Sequence, residues 1–183
     1  MQVGGEEQLI RQRGDGRLDA SASVGVVWTA EGLFVGASIT DDVPMKNRFG
    51  AGGNIYKGDS LEIYVGPGGY TGQVYAKPET GAWHFALSPG ADGSNPVVSD
   101  FGAEVKGSRI AVKPRRDGYT LEAFIPNTAF GGYVPAPGDL IAWDVQLNDC
   151  DSYDTDAGST SYMWNGDDMN WLKAAKWGMA VIR

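Results

Sequence analysis

The sequence predicts an all-β chain folded as a single antiparallel β-sandwich of jelly-roll or immunoglobulin-like type. Three observations carry that prediction. Apolar residues recur at every second position along almost the whole length, the period of a strand with one face in a core. The chain holds 27 Gly and 9 Pro, residues that supply the turns of a fold with many short strands. Only the stretches 126–130 and 171–176 read as helical turns.

The first hairpin alternates Ala22, Val24, Val26 and Trp28, turns at Thr29-Ala-Glu-Gly32, and returns through Leu33, Val35, Ala37 and Ile39. Leu61, Ile63 and Val65 form the next strand, with Glu62 and Tyr64 on its other face; Trp83, Phe85 and Leu87 follow, with His84 and Ala86 opposite. A second hairpin begins at Ile110 and Val112, turns at Arg115-Arg-Asp-Gly118, and returns through Tyr119, Leu121, Ala123 and Ile125. The strand from Leu140 to Asn148 sets Ile141, Trp143, Val145 and Leu147 against Ala142, Asp144, Gln146 and Asn148, and a short strand from Trp177 closes the chain. Trp28, Trp83 and Trp143 fall on apolar faces and are expected in the core, and Trp164 and Trp177 are given structural roles. Gly66-Pro-Gly-Gly69 reads as a turn. The segments 41–55 and 150–162 read as long polar loops, a length that marks function or disorder.

At 183 residues one well-filled domain spanning 1–183 is expected, with 1–18 irregular or a shortened start. The net charge of −8 argues against nucleic acid, which is gripped through Lys and Arg, and against an anionic membrane. Cys150 is the single cysteine, so no disulfide forms within the chain. No apolar run is long enough to span a bilayer as a helix, and the opening Met-Gln-Val-Gly-Gly-Glu-Glu does not read as a signal peptide. The chain is therefore expected to be either cytoplasmic or, the reading favoured here, a module of a longer secreted protein, hence extracellular or on a cell surface.

Two distant segments point to a ligand: 56–65, which opens with Tyr56 and carries Glu62, and 163–171, which carries Asn165, Asp168 and Trp171. Each sets an aromatic ring among hydrogen-bonding residues, a combination suited to a sugar, whose C–H face is mildly apolar and whose rim is hydroxyl. Tyr56 lies outside its strand's alternation beside Lys57-Gly58, and Trp171 sits among Asp167, Asp168 and Asn170, so both rings are expected to be exposed. Glu62 and Gln146 share the polar phase of their strands and are expected to converge on a concave polar surface if the strands share a sheet.

Five segments in order resemble the family 9 carbohydrate-binding modules: 26–41, 56–64, 118–126, 141–149, and Trp164 with Trp171 and Lys176-Trp-Gly178. The resemblance implies a non-catalytic β-sandwich appended to a xylanase or another secreted polysaccharide-degrading enzyme. It implies a cellulose- or xylan-like polysaccharide or oligosaccharide as partner, held between two rings that correspond by position to Tyr56 and Trp171. Polar contacts carry over to Glu62 and Gln146, and more loosely to His84, Asn165 and Asp168. Tyr56 stands where the family pattern has Trp, and His84 where it has Arg. Structural calcium is the only cofactor implied, with Asp41 and Asp59 as the preferred ligands. Asp42, Asp149, Asp151, Asp154 and Asp156 enrich the same loops in carboxylate oxygen, although no EF-hand spacing is present.

Two other classes of function draw on residues of this sequence. His84, the single histidine, with Met45, Met163 or Met169 could ligate a haem iron in an electron-transfer domain. Glu62 with Glu122 could form the carboxylate pair of a glycosidase. No nucleophile elbow, phosphate-binding loop or dinucleotide fingerprint is present.

Overall fold

A computed structural model describes residues 1–11, 20–74, 81–153 and 159–183. The strands are β1 (Gln2–Val3), β2 (Leu9–Arg11), β3 (Ser21–Trp28), β4 (Gly32–Thr40), β5 (Ser60–Pro67) and β6 (Trp83–Ser88), then β7 (Val97–Ser99), β8 (Arg109–Arg115), β9 (Gly118–Pro126), β10 (Leu140–Asp149), β11 (Thr160–Met163) and β12 (Gly178–Val181). The five-stranded sheet runs β1-β3-β4-β9-β8, and the seven-stranded sheet runs β2-β11-β10-β5-β6-β7 with β12 also on β10. All pairings are antiparallel. Both hairpins form at the turns the sequence marks, and the expected β-sandwich is the fold observed.

The core lies between the sheets and takes the apolar phase of each strand. Leu33, Val35 and Ile39 of β4 and Leu121 and Ile125 of β9 face Leu61, Ile63 and Val65 of β5 and Trp143, Val145 and Leu147 of β10. Trp143 is buried; Trp28 and Trp83 pack against the core half-buried, with ring centroids 4.6 and 5.4 Å from that of Phe130. Phe130 belongs to a 3-10 turn, Asn127–Phe130, and a second turn, Ala174–Lys176, falls in the other stretch expected to be helical.

The structure departs from the sequence reading at the start of the chain and after residue 150. Gln2–Val3 and Leu9–Arg11 are strands, one in each sheet, where 1–18 was expected to be irregular. Thr160–Met163, read as the end of a loop and the start of a binding segment, is strand β11. All four of its residues are buried against β10 and β2. These strands are two to four residues long, too short to show a period. No described helix is long and apolar enough to cross a membrane.

Candidate functional site

Register gathers the polar phases of β5, β6 and β10 on the outer face of the seven-stranded sheet. Glu62 lies opposite Gln146, Ser60 opposite Asn148, and Tyr64 between Asp144 on one side and His84 on the other. These side chains form one hydrogen-bonded network. Glu62 Oε2 accepts from the Tyr64 hydroxyl at 2.7 Å and lies 2.5 Å from His84 Nε2. Glu62 Oε1 accepts from Asn148 Nδ2 at 2.6 Å and from Gln146 Nε2 at 3.3 Å. Burial pushes the Glu62 carboxyl up, but the His84 imidazole with its hydrogen bond, together with Tyr64 and Asn148, outweighs it and holds the group below its ordinary value. An ionised carboxylate only accepts, so the hydrogen of the His84 contact sits on Nε2.

This strip is recessed and covered along both flanks. Glu62 is 2% exposed, and His84 and Gln146 are 6% exposed. The His84 ring is held between Tyr64 and Phe101, each 4.1 Å away by centroid. Ile55, Ala51 and Val97 pack with Phe101 over Ala86 of the sheet, and Val74, Ala174 and Trp177 pack over Tyr64, Ala142 and Met163. The expected concave polar surface is thus a floor beneath these residues. The four acceptor positions of Glu62 are filled from within the chain, which makes it the organiser of the network. Gln146 differs. Its Nε2 donates to Asn148 Oδ1 at 2.7 Å as well as to Glu62, while its Oε1, with two lone pairs, has the Tyr64 hydroxyl at 3.2 Å, the longer of that hydroxyl's contacts to Glu62 and Gln146. That amide oxygen retains capacity to accept.

The two rings belong to segments at either end of the strip. Tyr56, half-buried, sits in the 3-10 turn Ile55–Lys57 ahead of Ser60, with the Arg11 guanidinium 6.0 Å from its ring centroid. Its carbonyl accepts from Ser159 Oγ at 2.6 Å, just before β11. Trp171 is 45% exposed and follows the loop 164–170, which is tied down at the level of Tyr64. The tie is Asp144, a buried residue that the motifs did not single out. Its carboxylate accepts from the backbone N–H groups of Asn165 (3.1 Å) and Gly166 (2.8 Å) and from Asn170 Nδ2 (2.9 Å). Burial pushes this carboxyl up to about 6 against those hydrogen bonds. A Cβ on residue 166 would stand 2.0 Å from Asn170 Oδ1, so any larger residue there displaces the amide that donates to Asp144. Of the other expected contacts, Asn165 donates from Nδ2 to the Lys176 carbonyl, and Asp168 is exposed. Asp144 and Asn148 share the outward phase of Gln146, and that shared phase was the signal for both.

The acidic residues divide differently from the expectation. Carboxylate oxygens of Asp41, Asp149 and Asp151 lie within 4.8 Å of one another. Asp59 is buried beside them, but its two oxygens accept from the backbone N–H groups of Lys46 (2.8 Å) and Cys150 (2.7 Å). Burial, then the neighbouring Asp41 and Asp149 charges, push its carboxyl well above the ordinary range. Asp59 thus fastens two loops, and Asp41, which accepts the Val43 N–H at 2.8 Å, lies in the oxygen cluster beside it. Asp154 and Asp156 lie outside the described residues.

The profile of the family described as carbohydrate family 9 binding domain-like matches residues 7–183. The chain belongs to this family. It is 27% identical over 161 residues to endo-1,4-beta-xylanase A of Thermotoga neapolitana, a stretch that covers 87% of this chain and 14% of that enzyme. Its fold is similar to that of a family 9 carbohydrate-binding module from Caldicellulosiruptor kristjanssonii. The cellotriose complex of that module aligns with a TM-score of 0.68 at 18% identity, covering 96% of this chain and 81% of that one. The glucose complex gives the same TM-score and identity, covering 95% and 82%.

The rival chemistries do not fit the geometry of this family 9 module. His84 Nε2 is bonded to Glu62 and both ring faces are covered, so no iron can approach that nitrogen without dismantling the network. Glu62 and Glu122 project from the outer faces of opposite sheets. Stacked sheets are themselves about 10 Å apart, so these two carboxylates cannot flank one glycosidic bond.

Proposed function

We propose that this module binds a neutral glycan of the cellulose or xylan type non-covalently, at the strip between Tyr56 and Trp171. The observation that carries the reading is the fully paired network around Glu62, set between two segments that each offer an aromatic ring. A hydrogen-bonded floor of this kind is pre-organised, so little side-chain freedom is lost when a ligand settles on it. Trp171 supplies stacking, and Tyr56 a second ring. Gln146 accepts from a sugar hydroxyl through Oε1. Glu62 and His84 fix that amide rather than touching the ligand first. The relatives support the class of ligand, one being a module in complex with cellotriose and one a xylanase.

The role is to hold an attached catalytic domain, or a cell surface, close to extracellular polysaccharide. The chain's short span of the xylanase relative accords with a module of a larger secreted enzyme that itself catalyses nothing. The three carboxylates Asp41, Asp149 and Asp151 fit the all-oxygen donor set of calcium. Bound there, the ion would join the loop after β4 to the end of β10. Titration calorimetry with cellobiose and xylobiose tests the reading. Binding by the wild type that is lost in Trp171→Ala, with an unchanged melting temperature, is the expected result. A wild type that takes up neither sugar, nor any glycan on an array, overturns it.

A further inference from the structure

The opposite side of the sandwich carries a second concavity with no part in the strip just described. A cavity of about 660 Å³ lies on the outer face of the five-stranded sheet, across β3, β4, β9 and β8. Its floor is the row Gly25–Gly36–Glu122–Ala111, directly paired across four strands. The adjacent row, Val27–Phe34–Phe124–Arg109, forms a ledge. The row on the other side, Ser23–Ser38–Thr120–Lys113, is polar throughout. Four strands at the usual spacing span roughly 14 Å, room for a short oligosaccharide.

Two features set this face apart from an ordinary solvated sheet. Glycine inside a strand weakens it and often marks a place where a ligand comes close to the backbone. Here two glycines face each other in regular register, and a Cβ added to either would meet nothing within 4 Å. The fold therefore does not require them. The ledge, moreover, is aromatic and exposed. Phe34 and Phe124 lie 4.8 Å apart by centroid, and the Arg109 guanidinium sits 4.5 Å from the Phe124 centroid. Phe34 and Val27 are among the exposed large apolar residues of the chain.

We propose that this trough is a second glycan-binding face for a neutral polysaccharide chain, independent of the Trp171 site. The charges select the occupant. Glu122 on the floor and Arg109 on the ledge stand diagonally across one strand pair, with Lys113 of the polar row diagonal to Glu122 on its other side, and among the described residues none of the three has an ion-pair partner. An apolar protein surface pressed onto them would strand these charges without water. An anionic glycan would meet Glu122 at the centre of the floor. Hydroxyl groups both donate and accept, so a neutral sugar satisfies Glu122, Arg109 and the serine and threonine row together, while its C–H face lies on the phenylalanine ledge.

Titration with xylohexaose and cellohexaose in wild type, Trp171→Ala, Gly36→Val and the double variant separates the two sites. Valine fills the trough and suits a strand, and its Cβ meets nothing within 4 Å, so Gly36→Val should melt no lower than wild type. Phe34→Ala, which empties the ledge instead, serves as a second trough variant. With both sites active, wild type takes up two oligosaccharides per chain and each single variant one. The double variant takes up none, and the site left in Trp171→Ala is insensitive to salt. A trough that binds while Trp171→Ala changes nothing supports this proposal and removes the one above. Loss of all binding in Trp171→Ala, or full wild-type uptake in both Gly36→Val and Phe34→Ala, overturns the second site. Residual binding that disappears in high salt, or a wild-type dimer that Gly36→Val makes monomeric, assigns the trough to another occupant.

Discussion

Asp144 and Gly166 lie in different parts of the chain, yet a carboxylate oxygen of one accepts the backbone hydrogen of the other at 2.8 Å. Through this bond and those to Asn165 and Asn170, a buried strand residue sets the loop that ends in Trp171. The exposed ring depends on an interior charge, and that dependence is testable through pH. Burial raises the folded-state titration of Asp144 from near 3.8 to about 6. The fold therefore favours the neutral form. Ionisation costs stability as pH rises from about 4 to about 6, by up to about 3 kcal/mol, and the whole cost is present above that window. Asp144→Asn has no such titration. Urea unfolding should show wild type losing ground to Asp144→Asn as pH rises from about 4 to about 7. A constant difference between the two proteins would contradict the assignment.

Glu62 titrates in the opposite sense. Its folded-state value is held below the ordinary 4.5, chiefly by His84 acting against burial. Its contribution to stability is therefore fully present above about 4.5 and lost as pH falls through the folded value. Glu62→Ala leaves donors of His84, Asn148 and Gln146 buried without an acceptor, at about 1–3 kcal/mol for a lost charged partner and more if the network collapses. Glu62→Gln should recover part of that loss, because it keeps one acceptor oxygen. Chemical denaturation of both variants checks the order. If Glu62→Gln keeps wild-type stability but binds no sugar, Glu62 is itself the ligand contact.

The sandwich was legible in the sequence because its long strands each carry a run of alternating apolar residues, and Leu33 to Ile39 or Ile141 to Leu147 have no other reading. The candidate site was legible in part. Glu62, Gln146 and His84 appeared as polar residues in an outward phase, and they do meet. What period two cannot report is a second cover on that outward face. Phe101, Ile55 and Trp177 come from turns and loops, where no periodicity says which side chain turns inward, so a surface that reads as solvated is covered along its flanks. The same limit explains the metal residues. Asp41 and Asp59 flank strands equally well in sequence; in the fold both oxygens of Asp59 are held by the backbone N–H groups of Lys46 and Cys150, whereas Asp41, which accepts from the Val43 N–H, brings a carboxylate oxygen within 4.8 Å of those of Asp149 and Asp151.

Chelation should reveal whether the oxygen cluster holds an ion. Asp41, Asp149 and Asp151 bring three like charges within 4.8 Å, an arrangement that a divalent cation relieves. At a hundredfold excess over its dissociation constant a bound ion adds about 2.7 kcal/mol. For a domain of this size that is a shift in melting temperature of roughly 5–10 °C. Calcium should raise the melting temperature of EDTA-stripped protein by that order, and Asp149→Asn should reduce the response. An identical melting curve with and without calcium would count against a bound ion.

Trp171→Ala isolates the ring from the fold. The side chain is 45% exposed, so truncation removes little core packing, and a loss of stability under about 1 kcal/mol is expected for a surface position. A ring that anchors a ligand is a different matter: truncating such an anchor costs about 2 kcal/mol or more, roughly thirtyfold in affinity. Trp171→Phe keeps a flat face and should retain a measurable share of that affinity, which a purely structural role would not predict. Asp144→Asn, by loosening the loop without touching the ring, should weaken binding less than Trp171→Ala and more than Trp171→Phe. Calorimetric titration of the three variants against one oligosaccharide gives the ranking. Binding that survives Trp171→Ala but fails in Asp144→Asn would move the contact from the ring to the loop backbone.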